Sequence, residues 1–423
     1  DYLSFESGQQ LHTDINQPVN LAVSDPSSFG FLQPDPAGII VNGGHLSVGE
    51  GQRLGLVGGD ITIIGNNIAP AADTGITPAD TSIPANLGAL SGQIELVSVN
   101  SSGEAVMSHD GMDTSSFDAM GTIIMANQAM ATASGNAAGS IVVRGGELVM
   151  VQSYIYANAY GADDGTPSNG IDINLRGDMT MEYLSVIGTD VVGHASDSGG
   201  VNIIADNVLI NNGSDIESAV WNESSNGSSG NIDITSNSIS VSNYGFIQTY
   251  TGTNSLGSGG GINLTTGQLN LLDGGQINSL GYSLYGTTGD INITAENILL
   301  SGTNIGTTDT SINALSASQI TYDVADININ TDTLNIDQAF IASKTYSPQG
   351  GDITVSATSI EIQGTETINA GIQTNNSYAG RGGSITLNAD DQLTVTEHGL
   401  IQSNTTYSGS SGDININTGN LEV

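Results

Sequence analysis

Apolar and polar residues alternate along this chain in short bursts, and the bursts return in phase. Residues 290–294 read Asp-Ile-Asn-Ile-Thr, a half-buried strand; residues 297–302 give a second strand with a glycine exit, and residues 303–307 a short third. Residues 383–404 and 230–250 repeat the plan, with strands of period two separated by Gly, Asn and Ser corners. The phrase that opens each unit is the clearest marker. Gly59-Asp60-Ile61-Thr62-Ile63 returns as Gly289-Asp290-Ile291-Asn292-Ile293, Gly351-Asp352-Ile353-Thr354-Val355 and Gly412-Asp413-Ile414-Asn415-Ile416. Looser copies start at Gly230 and Gly383, and Gly170, Gly200, Gly230, Gly260 and Gly289 set a spacing near 30 residues.

A period of that size marks a solenoid, in which a unit buries its apolar face only by stacking on its neighbours. The corners lack the fixed two-residue Asn-Gly connections of hairpins, so coils fit better than meanders. The pattern predicts an all-β, right-handed parallel β-helix with three short strands per coil and about 12 coils of roughly 30 residues, a rod about 60 Å long. Ile, Leu and Val point inward; Asn, Thr, Asp and Ser point outward. Glycine at the corners is expected to supply positive φ.

Three regions follow. Residues 1–110 hold seven of the nine prolines and read as the capping part of the same β-helix, with a loop at 69–87 outside the coil path. Residues 111–169 are irregular coils. Residues 170–423 carry the regular repeat, with one stretched coil between Gly289 and Asp326. Longer insertions at 162–167 and 221–226 are expected to project as surface loops. The last phrase, from Asn420, opens a new strand, so the natural chain is expected to continue, with the unpaired edge meeting a cap, another domain or another subunit.

Composition narrows the class. Hydrophobic residues make up 37% and glycine is abundant at 57 residues without a three-residue period, which excludes collagen. No apolar run is long enough for a membrane span, cysteine is absent, and no signal peptide is visible. The formal charge of −38, from 43 acidic and 5 basic residues, repels nucleic acid and anionic lipid. Internal salt bridges cannot absorb it. The acidity fits solubility or life in salt, and it also raises the question of surface calcium.

The N-terminal block resembles a known family. The phrases at residues 1–8, 28–32, 35–40, 46–48, 52–63 and 92–99, among them Gln52-Arg53-Leu54-Gly55-Leu56-Val57-Gly58-Gly59-Asp60, are similar to the haemagglutination-activity region of filamentous haemagglutinin-like exoproteins. The later repeats resemble the adhesin shaft more loosely. The resemblance implies a right-handed parallel β-helix, export through an outer-membrane pore partner by two-partner secretion, and display or release outside the cell. The family's Asn-Pro-Asn-Gly-type secretion motif is degenerate here, its place held by Gln33-Pro34-Asp35-Pro36-Ala37-Gly38, and the first part of the usual secretion domain is missing.

Candidate chemistry is sparse. The five histidines (His12, His45, His109, His194 and His398) show no ligand spacing, and no nucleophile motif or phosphate-binding glycine loop is present. The weak metal candidates are Asp163 and Asp164 in an acidic loop, and Asp110 and Asp113 beside His109 and Asp118. Tyr154, Tyr156 and Tyr160 are the candidate glycan contacts, with Tyr244 and Tyr250 flanking another third strand. Phe246, Ile247, Leu400 and Ile401 are expected in the core. Some parallel β-helices cleave polysaccharides with clustered carboxylates. Here Asp60, Asp290, Asp352 and Asp413 recur at one corner, where turn chemistry, with each Asp accepting its neighbours' backbone N–H groups, is the simpler explanation. The expectation is therefore a secreted, non-enzymatic, acidic rod with no resident cofactor. It would attach to a host or neighbour-cell surface or a polysaccharide. The alternative is a filament subunit associating head to tail.

Overall fold

The computed structural model describes residues 1–14, 16, 24–66, 86–108, 111–161, 170–192, 197–221, 226–253, 255–283, 285–287, 289–302, 309–317, 324–366, 369–377, 380–406 and 408–423. They form a right-handed parallel β-helix. Its third face is a 12-stranded parallel sheet, one strand per coil, from Leu46–Val48 through Tyr154–Tyr156 and Asp215–Val220 to Gly399–Thr405. The first face stacks Arg53–Gly58, Gln93–Ser98, Ser140–Gly145 and Gly170–Leu175 in parallel register. The second stacks Ile39–Asn42, Ile61–Ile64, Thr122–Ala126, Glu147–Val151 and Met179–Glu182.

From Val201–Ile210 onward the first two faces run together as one strand of nine to twelve residues. Ile291–Ser301 shows how. Ile291, Ile293 and Ala295 are buried, then Glu296 and Asn297 are both exposed, then Ile298 and Leu300 are buried. Two outward residues in succession reverse the phase, so the strand bends and both halves face the same core. A small residue fits inside the bend (Ala205, Ser236, Thr266, Ala295), and at Thr266 and Thr331 the hydroxyl bonds the carbonyl two residues on, at 3.1 Å in each case. The three expected strand segments are all present; a bend replaces the break between the first two.

The core is a set of ladders. Ile171, Val201, Ile232, Ile262, Ile291, Ile327, Ile353 and Ile385 form one column and Ile155, Ile187, Ile216, Ile247, Ile277, Ile312, Ile341 and Ile372 another, all buried. Each such side chain contributes roughly 1.5–3 kcal/mol through burial. Inside the third face the next position is small and often hydroxylated. Ser218 donates to the Gly230 carbonyl at 2.7 Å, Ser279 to Gly289 at 2.7 Å and Thr374 to Gly383 at 2.6 Å. Ile247 lies in the core and Ile401 packs against it, but Phe246 and Leu400 are half-buried on the outer side of the same strands. Neighbours in a strand face opposite ways, so both members of each pair cannot be core.

The repeat glycines serve close approach more than positive φ. A Cβ on Gly260 would lie 2.0 Å from the Gly230 carbonyl oxygen, and one on Gly383 would lie 1.9 Å from that of Gly351. Left-handed backbone falls instead at the corner between the second and third faces. There Asn127, Gln128, Tyr183, Leu184, Asn212, Asn243, Tyr244, Asp273, Glu397 and His398 all have positive φ, mostly without glycine.

A five-stranded antiparallel sheet covers the N-terminal flank, in the order Gly111–Asp113, Gly103–Ser108, Pro26–Phe31, Tyr2–Phe5, Gln10–His12. Its second core, of Val97, Val99, Ala105, Met112 and Phe117, sits against the outside of the first face. Two of the five basic residues serve this junction, and a third pairs within the first face. Arg53 donates to the Ser108 carbonyl at 2.8 Å and faces buried Glu95 at 3.8 Å; Arg176 donates to the Phe117 carbonyl at 2.6 Å; Arg144 pairs with Asp172 beside it. Most of the expected loop at 69–87 lies outside the described residues, and Leu87 opens a third-face strand.

Gly260→Ala forces apart two coils already in backbone contact. It is expected to cost about 2–4 kcal/mol and lower the melting temperature. Gly88→Ala, whose added Cβ would meet nothing closer than 3.7 Å, is expected to melt with the unmodified protein. Parallel thermal melts check both, and equal melts of the two variants would contradict the close-approach argument.

Candidate functional site

Outward side chains on the third face form a grid, because register is kept from coil to coil. One coil presents Tyr154, Tyr156, Asn158 and Tyr160. The next presents Val186, Gly188, Asp190 and Val192, and the next Asp215, Glu217, Ala219 and Trp221. Then come Phe246, Gln248, Tyr250 and Gly252, followed by Gln276, Asn278, Leu280 and Tyr282. Two features stand out on it.

The first is a nest of three carboxylates. Asp190 is only 5% exposed; Asp215 and Glu217 are half-buried. Gly188 lies between the Tyr156 strand and Glu217, and a Cβ there would meet the Tyr156 ring at 3.1 Å and the Glu217 Cγ at 3.4 Å. Asn158 donates to Asp190 Oδ2 at 3.3 Å and accepts the Asp190 N–H at 2.8 Å. Gln248 donates to Asp215 Oδ2. Asp190 Oδ1 and Asp215 Oδ1 have no hydrogen-bond partner among the described residues. Burial pushes the Glu217 carboxyl up to about 7. Burial, with Glu217 as the strongest charged neighbour, pushes Asp190 and Asp215 well above the usual carboxylate range. The phenols of Tyr154, Tyr156 and Tyr160, which face the nest from the preceding coil, are raised by burial too; the nearby carboxylates add to this at Tyr156 and Asp190 adds to it at Tyr160.

The second feature is an aromatic stack alongside. Trp221 and Tyr250 have ring centroids 4.5 Å apart at 29°, and Tyr250 and Tyr282 are 5.4 Å apart at 43°. Trp221 is 46% exposed and Tyr282 39%. The Trp221 side chain also lies against the Asp190 carboxyl, so nest and stack are continuous. Above them an amide ladder continues, with Asn278 bonding Gln276 at 2.9 Å and Asn313 bonding Asn278 at 3.1 Å.

Of the expected glycan contacts, Tyr154 and Tyr156 stack on each other at 6.0 Å and 11° and are both buried, while Tyr160 is half-buried beside Ser134 and Asn158. The open rings are those of Trp221 and Tyr282, with Tyr250 half-buried between them. Tyr244 lies at the left-handed corner, away from this face. Asp163, Asp164, Asp110, His109 and His194 lie outside the described residues. Asp113 is exposed and accepts the Ser115 N–H at 2.9 Å, which holds its carboxyl below the usual range. Among the described residues no three His, Asp or Glu side chains are placed to share a metal ion.

The corner acids Asp60, Asp290 and Asp352, with Asp326, accept backbone N–H groups, but from the next stretch of coil and not from chain neighbours, while Asp413 faces Arg381 at 3.7 Å. Asp60 takes that of Thr122 at 2.8 Å, Asp290 that of Asp326 at 2.8 Å, Asp326 that of Asp352 at 2.7 Å and Asp352 that of Ser384 at 2.7 Å. They are stitching groups.

The nest was missed in the sequence although one signal existed. In Asp215-x-Glu217 the second acid occupies an outward position where later coils hold amides such as Gln248, Asn278, Asn313 and Gln373. Asp190 joins them only through the register of an irregular coil. Comparison with protein-family models, curated proteins and solved structures finds no match to this chain.

The nest sets a sign for stability against pH. The folded carboxyls hold protons to higher pH than unfolded ones, so the nest's contribution to stability is fully present below the ordinary carboxylate range and is lost as pH rises through the folded values, about 7 for Glu217. Glu217→Gln removes one of the three charges and is expected to flatten that fall. Melting temperatures of both proteins from pH 4 to 8 check it; parallel curves would show that the nest does not contribute.

Proposed function

We propose that this chain is the rigid, non-enzymatic rod of an extracellular adhesive protein of the filamentous haemagglutinin type, exported by two-partner secretion. The observation that carries the reading is the unbroken 12-strand third face, which makes the molecule an extended scaffold. A rod built this way resists bending, because flexing it must break ladder hydrogen bonds and open the packed core together.

Three further observations support it. The N-terminal phrases that resemble the exoprotein family fold as the first coils and their antiparallel cover. The corner acids that a polysaccharide-cleaving reading would enlist are engaged with backbone N–H groups. A charge of −38 keeps such rods apart in solution and suits attachment through local patches on one face. The partners of this reading are an outer-membrane pore during export and, afterwards, a cell surface or surface polysaccharide.

Electron microscopy of purified chain is expected to show single stiff rods, and beads coated with the chain are expected to adhere to a bacterial lawn or its extracted polysaccharide. Filaments much longer than one chain would instead favour a self-assembling fibre subunit. Coated beads that adhere no better than bare ones would remove the adhesive reading.

A further inference from the structure

The outer side of the first face changes character under the antiparallel cover. In later coils its outward positions include polar residues such as Asp172 and Asn202. Beneath the cover they include Val57 and Val97, which pack with Ala105, Met112 and Phe117, and Val142, which lies against Gly111. A single carboxylate is set into this apolar layer. Glu95 stands between Gly55 and Val142 in the outward column and is fully buried. A Cβ on Gly55 would lie 3.5 Å from Met112 Cε and 3.8 Å from Glu95 Oε2, so the cover's thioether and the carboxylate face the same small space.

Neither oxygen of Glu95 has a hydrogen-bond partner among the described residues. Its ion partner is Arg53, whose Nη1 stands 3.8 Å from Oε1, too far for a hydrogen bond. The same guanidinium is committed to the cover, since its Nη2 donates to the Ser108 carbonyl at 2.8 Å. The other described charges at this junction are engaged elsewhere. Arg144, in the next coil, pairs with Asp172, and Arg176 donates to the Thr114 and Phe117 carbonyls. On the cover, Asp113 accepts the Ser115 N–H and Glu104 the Ser28 hydroxyl. His109 and Asp110 lie outside the described residues. Burial pushes the Glu95 carboxyl above its ordinary value, against the pull of Arg53 and then Arg144. A neutral carboxylic acid is tolerated in such a place, whereas a carboxylate without hydrogen bonds is costly.

We propose that Glu95 and Arg53 form a pH-sensitive clasp: with Glu95 protonated, the strands Gly103–Ser108 and Gly111–Asp113 stay docked on the first face, and ionisation of Glu95 favours their release. Two routes relieve the buried charge, and both loosen the cover. Water reaches the carboxylate when the strands lift, or Arg53 turns fully onto it in a charge-assisted pair and gives up the Ser108 carbonyl. The docked state holds the Glu95 proton more tightly than the released one. Docking is therefore strongest below the ordinary carboxylate range and weakens as pH rises through the raised value. Release bares Val57, Val97 and Val142, the apolar outer side of the first coils. The clasp works whatever surface the rod adheres to.

Hydrogen exchange of the full chain from pH 4 to 8, followed by mass spectrometry and corrected for the intrinsic pH dependence of exchange, tests this. Protection of the amides in 103–108 and 111–113 is expected to fall as pH rises, at least about threefold overall and at most about tenfold per pH unit for a single proton. Glu95→Gln keeps the size and loses the charge, and its cover is expected to stay equally protected across the range. Arg53→Gln removes both the countercharge and the tie to Ser108. Its cover is expected to be less protected than that of the unmodified chain and to begin its fall at lower pH. The distant strand Ile353–Gln363 is expected to keep its protection, because coils of a solenoid couple chiefly to their neighbours. Circular dichroism confirms that each variant is folded, and the pH series on the unmodified chain decides the matter even if one is not. The proposal is overturned if protection of the unmodified cover is constant or rises with pH, or if folded Glu95→Gln shows the same fall. It is also overturned if Ile353–Gln363 loses protection in step with the cover, since the loosening would then be global.

Discussion

Each coil of this molecule is completed by its neighbours. A coil on its own has three short strands with no backbone partner and one row of apolar side chains open to water. Stacking at about 4.8 Å pairs the strands and closes the core in the same step. That spacing then governs every choice of residue. The glycines of the repeat phrase leave room where backbone passes backbone, as at Gly260 over Gly230. The inner serines and threonines of the third face bond to the carbonyls of those glycine corners, at Gly230, Gly289 and Gly383.

The same spacing makes a strongly acidic chain hard to stack, because a repeated acid would meet its own copy a few ångströms away. Two solutions operate here. On the outside of the first face, acids alternate with amides: Asn202 bonds Asp172 at 2.7 Å, Asn263 bonds Asp233 at 2.7 Å, and Asn292 bonds Asn263 at 3.0 Å. At the corner, where Asp290, Asp326 and Asp352 do follow one another, each carboxylate accepts a backbone N–H from the coil beyond. On the third face amides again meet acids across coils, Asn158 bonding Asp190 and Gln248 bonding Asp215.

Basic residues are so few that their positions carry weight. Arg53 and Arg176 reach carbonyls of the inserted segment that completes the antiparallel cover, and Arg144 with Asp172 lies beside them. A long side chain with several donors can tie an irregular excursion to a regular coil where ladder hydrogen bonds cannot. In the later coils, where backbone pairing is continuous, the remaining Lys344 and Arg381 have no comparable role.

Alternation and period determined the β-helix, its three strand segments and its twelve-coil length, because inward-facing apolar positions must recur once per coil wherever the stack is regular. They also pointed to the corner acids as acceptors of backbone N–H groups, but as local turn groups, whereas the donors lie in the next coil. Three things were decided only in the folded chain. The bend that joins two strands depends on a pair of outward residues such as Glu296 and Asn297, which read in sequence as a break. The need for glycine at the repeat corner comes from the coil packed against it, where φ alone would tolerate another residue. The nest joins Asn158, Asp190 and Glu217 across coils of unequal length, so no fixed spacing links them. Burial made the difference for the aromatic residues as well: Tyr154 and Tyr156 look like a surface cluster in sequence, yet they are covered while Trp221 and Tyr282 stay open. Local periodicity specifies what each strand presents to its two sides, and only the stacking register specifies which outward residues meet.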